Sequence, residues 1–83
     1  MPNQRADHID IGAGIKHARI TAGMTQAQIA KHLHVTQAAI SHYESNYRPI
    51  RTGMLLDIAR HTGVSICDIL DAANAANEKA LAR

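Results

Sequence analysis

Residues 25–44, which read TQAQIAKHLHVTQAAISHYE, carry the pattern that best predicts the fold of this chain. Thr25 followed three residues later by Gln28 forms a capping box, which predicts that a helix begins at Gln26. The apolar face of this helix is made by Ile29, Ala30 and Leu33. The first half of the stretch therefore predicts a short amphipathic helix.

A tight turn and a second helix complete the stretch. His34 and Val35 interrupt the first helix, and the hydroxyl of Thr36 can cap the next one. The inward side of the second helix is made by Ala39, Ile40 and Tyr43. The outward side is polar or small and carries no carboxylate, lysine or arginine: Thr36, Gln37, Ala38, Ser41 and His42. A helix with such a face fits the major groove of double-stranded DNA, where its side chains meet base edges.

Upstream of this pair, the sequence predicts one further helix. Residues 1–8 are polar and are expected to form a loose N-terminal arm. Asp10 can cap a first helix that runs to about Ala22 and ends at Gly23.

Downstream, the pattern predicts two more helices and no strand. The fourth helix starts at Arg51 or Thr52 and stops at Gly63, and Ser65 starts the fifth. The alanine-rich segment 71–83 either prolongs the fifth helix or forms a sixth. The expected organisation is an arm over residues 1–8, one all-α domain over residues 9–71, and a helical tail over residues 72–83.

The chain resembles the phage repressor and Cro helix-turn-helix family, which includes many plasmid and bacterial regulators. The resemblance is carried by IGAGIKHAR before the motif, MTQAQIAKHL and VTQAAISHYE within it, and LLDIARHTGVSICDIL after it. It implies a compact five-helix domain in which the second and third helices bind DNA. The family usually has Gly in the turn where this chain has His34. A positive φ there costs a residue with a side chain about 1 kcal/mol, so a slightly remodelled turn is expected.

The resemblance also implies roles for individual residues. Residues expected to read bases are Gln37, Ala38, Ser41 and His42, with Thr36 at the edge of the groove. Residues expected to approach phosphates are Gln26 and, in the loop after the third helix, Asn46, Tyr47, Arg48 and Arg51. Arg19 and Glu44 match charged positions of the family and are expected to form a largely buried ion pair.

The expected working unit is a two-fold homodimer that represses transcription from an inverted-repeat operator. The predicted interface lies on the fifth helix and the tail, at Val64, Ile66, Ile69, Leu70, Ala73 and Leu81. An alternative from another class is the antitoxin of a toxin–antitoxin pair, which binds DNA with the same motif but serves to hold a toxin protein.

Composition limits the other classes of function. The formal net charge of +2 suits a nucleic-acid binder, while two tyrosines without Phe or Trp argue against stacking on single strands. No apolar run approaches membrane-spanning length, and a single cysteine suits a reducing cytoplasm. Metal-binding histidines on one helix are spaced four residues apart, whereas His32 and His34 are two residues apart. The sequence therefore predicts a cytoplasmic regulator of bacterial, plasmid or phage type, with no catalytic residues, no cofactor and no metal site.

Overall fold

The computed structural model describes residues 11–81, and over that range the chain forms five α-helices and no strand. The helices are α1 (Ile11–Thr21), α2 (Gln26–Leu33), α3 (Gln37–Glu44), α4 (Thr52–Thr62) and α5 (Ile66–Leu81). The predicted all-α fold is therefore confirmed. The predicted N-terminal arm and the cap at Asp10 lie outside the described residues.

Local side-chain hydrogen bonds start three of these helices where the sequence predicts them. At α2, the N–H of Gln28 donates to Thr25 Oγ1 at 3.0 Å, and the N–H of Thr25 donates to Gln28 Oε1 at 2.8 Å. The hydroxyl oxygen of Thr36 accepts from the N–H of Ala39 at 3.1 Å, and Ser65 caps α5 in the same way. Each bond satisfies an N–H group that has no partner within its own helix, which fixes the first residue of the helix.

Every helix contributes one isoleucine to the centre of the core. The largest fully buried side chains are Ile15, Ile29, Ile40, Ile58 and Ile69, which lie on α1 to α5 in that order. A rigid β-branched side chain from each helix converges on one cluster, so no helix can be moved without opening the core.

Helix α1 packs closely against α5 at Gly14. A Cβ atom at Gly14 would collide with the backbone oxygen of Ile69 and would lie 3.1 Å from the Cβ of Ala73. The missing side chain therefore lets the two helices approach closely along their length.

This packing corrects the predicted boundary between domain and tail. Helix α5 runs unbroken from Ile66 to Leu81, so the segment after Asp71 prolongs the fifth helix and forms no sixth. Ala73 is fully buried against α1, which means that the core of the domain extends past residue 71. A boundary between residues 71 and 72 is therefore wrong.

The packing also corrects half of the predicted dimer interface. Val64, Ile69 and Ala73 are buried in the core of the single chain, so they have no surface to offer a second copy. Ile66 is half-buried and Leu70 is 40% exposed, and both stay available. The side chain of Leu81 lies outside the described part of the structure.

Candidate nucleic-acid interface

Helix α3 presents the face that the sequence predicts. Thr36, Gln37 and Ala38 are exposed, and Ser41 and His42 are half-buried one turn further along. Residues three and four apart share a side of a helix, so these five side chains form one strip. The opposite side holds Ala39 and Ile40, which are buried, and this fixes the rotation of the helix about its axis.

The turn between α2 and α3 keeps a left-handed residue without glycine. His34 has φ 59° and ψ 41°, and its side chain is exposed. The N–H of Val35 donates to the carbonyl of Ala30 at 3.0 Å, which closes the end of α2. The expected remodelling of the turn is therefore wrong: His34 adopts the strained backbone itself, at about 1 kcal/mol.

The predicted ion pair between Arg19 and Glu44 is present and largely buried. Arg19 Nε lies 2.6 Å from Glu44 Oε2, and Arg19 Nη2 donates to Glu44 Oε1 at 3.1 Å. The side chains are 13% and 6% exposed, and Arg19 Nη1 also donates to the carbonyl of Met24. This bidentate contact holds the end of α1 against the end of α3.

Gln26 joins this pair, which the sequence analysis did not predict. Its amide nitrogen donates to Glu44 Oε1 at 3.0 Å, so the first residue of α2 is tied to the last residue of α3. A side-chain amide nitrogen carries two hydrogens, and this bond uses one of them. That Gln26 contacts a phosphate remains a prediction. The bond to Glu44 already holds the Gln26 side chain in position.

The loop after α3 is fastened to the start of α1. Asn46 has φ 62°, and its Oδ1 accepts a hydrogen bond from the N–H of Gly12 at 2.9 Å. A Cβ atom at Gly12 would collide with the backbone oxygens of Tyr43 and Glu44, so this approach requires glycine. Asn46 therefore has a scaffolding role that the sequence analysis missed, and its contact with a phosphate stays a prediction.

The other loop residues predicted to approach phosphates are on the surface. Tyr47, Arg48 and Arg51 are all exposed. The ring of Tyr47 packs against that of His42, with centroids 4.8 Å apart, so the loop supports one of the predicted base-reading side chains. Arg48 and Arg51 line an open hollow of about 580 Å³ together with Tyr43, Pro49, Gly53 and Met54.

The charges around α3 have a consistent sign. Arg48, Arg51 and Lys31 are exposed cations, whereas Glu44, the one acidic residue between positions 25 and 51, is neutralised by Arg19. The surface beside α3 is therefore positive, as contact with a phosphate backbone requires.

Within residues 11–81, no group of three or more described His, Cys, Asp and Glu side chains could hold a metal ion. None of the helices in that range is long and apolar enough to cross a membrane.

Comparison with known proteins identifies the family. The sequence model of the family described as helix-turn-helix matches residues 15–69, which include all of α2, α3 and α4 and more than half of the chain. No curated protein and no solved structure matches the chain. The chain belongs to the phage repressor and Cro type of helix-turn-helix family, and it is a DNA-binding transcriptional regulator.

Proposed function

We propose that this protein is a dimeric repressor that binds an inverted-repeat operator by inserting α3 into the major groove. The observation that carries the proposal is the outward-facing strip of α3, which is held in place at both ends. Thr36 caps its first turn, and the Arg19–Glu44–Gln26 contacts fix its last residue to α1 and α2. A recognition helix held in this way loses little freedom on binding, which favours affinity.

The strip offers chemistry that can distinguish bases. The Gln37 amide can bind adenine through N6 and N7, and the His42 ring can donate to guanine O6 or N7. The methyl groups of Ala38 and Thr36 can contact the methyl group of thymine, since the Thr36 cap occupies the hydroxyl and leaves its methyl group uncommitted. Ser41 lies between these residues and can bond to either kind of base edge.

Phosphate contacts would come from two elements next to this strip, the start of α2 and the loop after α3. Gln26 lies at the start of α2, where free N–H groups and the helix dipole favour an anion. Arg48 and Arg51 lie in the loop that follows α3, together with Tyr47 and Asn46. Contacts from α2 and from this loop would set the depth and the angle at which α3 enters the groove.

Dimerisation supplies the selectivity that one short helix lacks. Two copies with their recognition helices about 34–36 Å apart would read successive major grooves on one face of the duplex. The proposed interface is formed by Ile66 and Leu70 on α5, because the other described apolar candidates are buried in the core. Leu70 is a large apolar side chain left 40% exposed, which a second copy would cover.

Selection from a random or genomic duplex library tests the operator proposal. We expect one inverted-repeat sequence to bind at least about 10³-fold more tightly than random DNA at physiological salt. Equal and weak binding to every duplex would overturn the repressor proposal. Co-purification of a second protein in fixed proportion would instead favour the antitoxin alternative.

Sedimentation of two matched variants tests the interface. Leu70→Lys on α5 should shift the chain toward monomer, whereas Leu56→Lys on α4, at a site 45% exposed, should leave the dimer intact. If the unaltered chain is monomeric at tens of micromolar and binds a single half-site, the dimer proposal fails. If Leu70→Lys stays dimeric, the interface lies elsewhere.

A further inference from the structure

Two histidines that are distant in sequence meet on the surface. His32 lies in the last turn of α2, and His61 lies in the last turn of α4. Their ring centroids are 5.7 Å apart, with the ring planes inclined by 35°. Both side chains are exposed, so each ring can turn about its Cβ–Cγ bond at little cost.

This separation suits two rings that share one metal ion. A metal bound at about 2.0–2.1 Å by a ring nitrogen lies roughly 3.2 Å from the ring centroid, since the nitrogen is itself about 1.1 Å from the centroid. Two rings on one metal therefore have centroids roughly 5.2 Å apart at a tetrahedral angle and at most about 6.4 Å apart. The observed 5.7 Å falls inside that range without any movement of the helices.

The backbone around the pair also favours a cation. Both histidines are at C-terminal ends, where the helix dipole and the unpaired carbonyl groups are negative. Two cations neighbour the pair in sequence, Lys31 and Arg60, and both are exposed. Arg60 lies near the carboxylate of Asp57 at 3.5 Å, which offsets part of its charge.

We infer that His32 and His61 form a binding site for a first-row divalent metal ion that prefers imidazole, namely Ni²⁺, Cu²⁺ or Zn²⁺. Two ring nitrogens would occupy two positions and water would fill the rest. The bound ion would join the end of α2 to the end of α4. Because the unfolded chain does not hold the two rings together, the ion would bind the folded chain preferentially and stabilise it. The site does not depend on DNA, so its test stands apart from that of the proposed function.

Thermal unfolding of the tag-free, chelator-treated full chain with Ni²⁺ tests the inference. Ni²⁺ is the first probe because, unlike Cu²⁺, it should not oxidise the exposed Cys67. With Ni²⁺ at about ten times its measured dissociation constant, the unfolding midpoint should rise by roughly 6–11 °C. Mg²⁺, which prefers oxygen ligands, should give no rise.

Histidine variants separate a shared site from scattered binding. His32→Gln and His61→Gln should each remove most of the rise, and the double variant should remove no more than either alone. His17→Gln, at an exposed histidine on α1, should keep the full rise. A rise that survives in His61→Gln, or that is also lost in His17→Gln, would overturn the inference.

A spectroscopic measurement covers the case in which a variant unfolds. In the unaltered chain, Zn²⁺ should shift the ring nitrogen resonances of His32 and His61 together, at one equivalent, and leave those of His17 and His42 in place. Shifts of all histidine rings in parallel would contradict a defined two-histidine site.

Discussion

Replacing Arg19 with methionine should strongly destabilise the fold. The carboxylate of Glu44 is 6% exposed and accepts three hydrogen bonds, two from Arg19 and one from Gln26. Arg19→Met removes two of the three and leaves a buried negative charge without its counter-ion. Breaking a buried pair from one side costs about 3–5 kcal/mol. A chain of this size has a total free energy of unfolding of roughly 4–12 kcal/mol, so the loss is a large part of it.

Urea denaturation measures this loss as a lower midpoint at an unchanged m-value. The matched control is Arg60→Met, which breaks the pair with Asp57, whose side chains are 73% and 46% exposed. That exposed pair should contribute less than about 1 kcal/mol. Arg19→Met combined with Glu44→Leu removes both charges and should recover much of the stability. A loss below about 0.5 kcal/mol in Arg19→Met, or an equal loss in Arg60→Met, would refute the reasoning.

Three further predictions follow from the interface and the packing. Gln37→Ala should weaken operator binding by about 1–3 kcal/mol and relax the preference at one base position. Arg51→Ala should weaken binding to all DNA sequences alike and reduce by about one the slope of log binding constant against log salt concentration. An unchanged preferred sequence in Gln37→Ala would contradict the placement of α3 in the groove. Gly14→Ala should destabilise the fold by more than about 1 kcal/mol in thermal unfolding, because the new Cβ would collide with the backbone of α5. The control Gly53→Ala, in open space on α4, should stabilise the fold by roughly 0.5–1 kcal/mol. Equal effects of the two variants would show that the α1–α5 contact is loose. His34→Gly should raise the free energy of unfolding by up to about 1 kcal/mol, because glycine adopts the left-handed backbone conformation of this position without strain. A lower free energy of unfolding would show that the His34 side chain stabilises the fold by more than the strain costs.

Much of the secondary structure could be predicted from the sequence, because its signals are local. The Thr25 and Gln28 pair fixes the start of α2, Thr36 fixes the start of α3, and Gly63 ends α4. Each signal acts within four residues of the bond or the backbone angle that it determines, so no distant part of the chain is needed. The outward strip of α3 follows in the same way from helical periodicity.

Periodicity could not decide which apolar residues form the core and which stay at the surface. Ile69 and Leu70 are adjacent on α5, yet one is fully buried and the other is 40% exposed. The sequence assigns both to an apolar segment, and the approach of α1 at Gly14 selects between them. What covers a helix face depends on the neighbouring helix, which is why two of the predicted dimer residues on α5, Ile69 and Ala73, lie in the core of the single chain.

The sequence predicts the helices, the position of the turn between α2 and α3, the family, and the pairing of Arg19 with Glu44. Only the folded chain shows that Gln26 bonds to Glu44, that Asn46 accepts a hydrogen bond from the N–H of Gly12, and that the rings of His32 and His61 lie close together. These contacts join residues on different elements, where separation along the chain says nothing of separation in space. The distance between such side chains is set by how the helices pack, and packing depends on the summed contacts of the whole core.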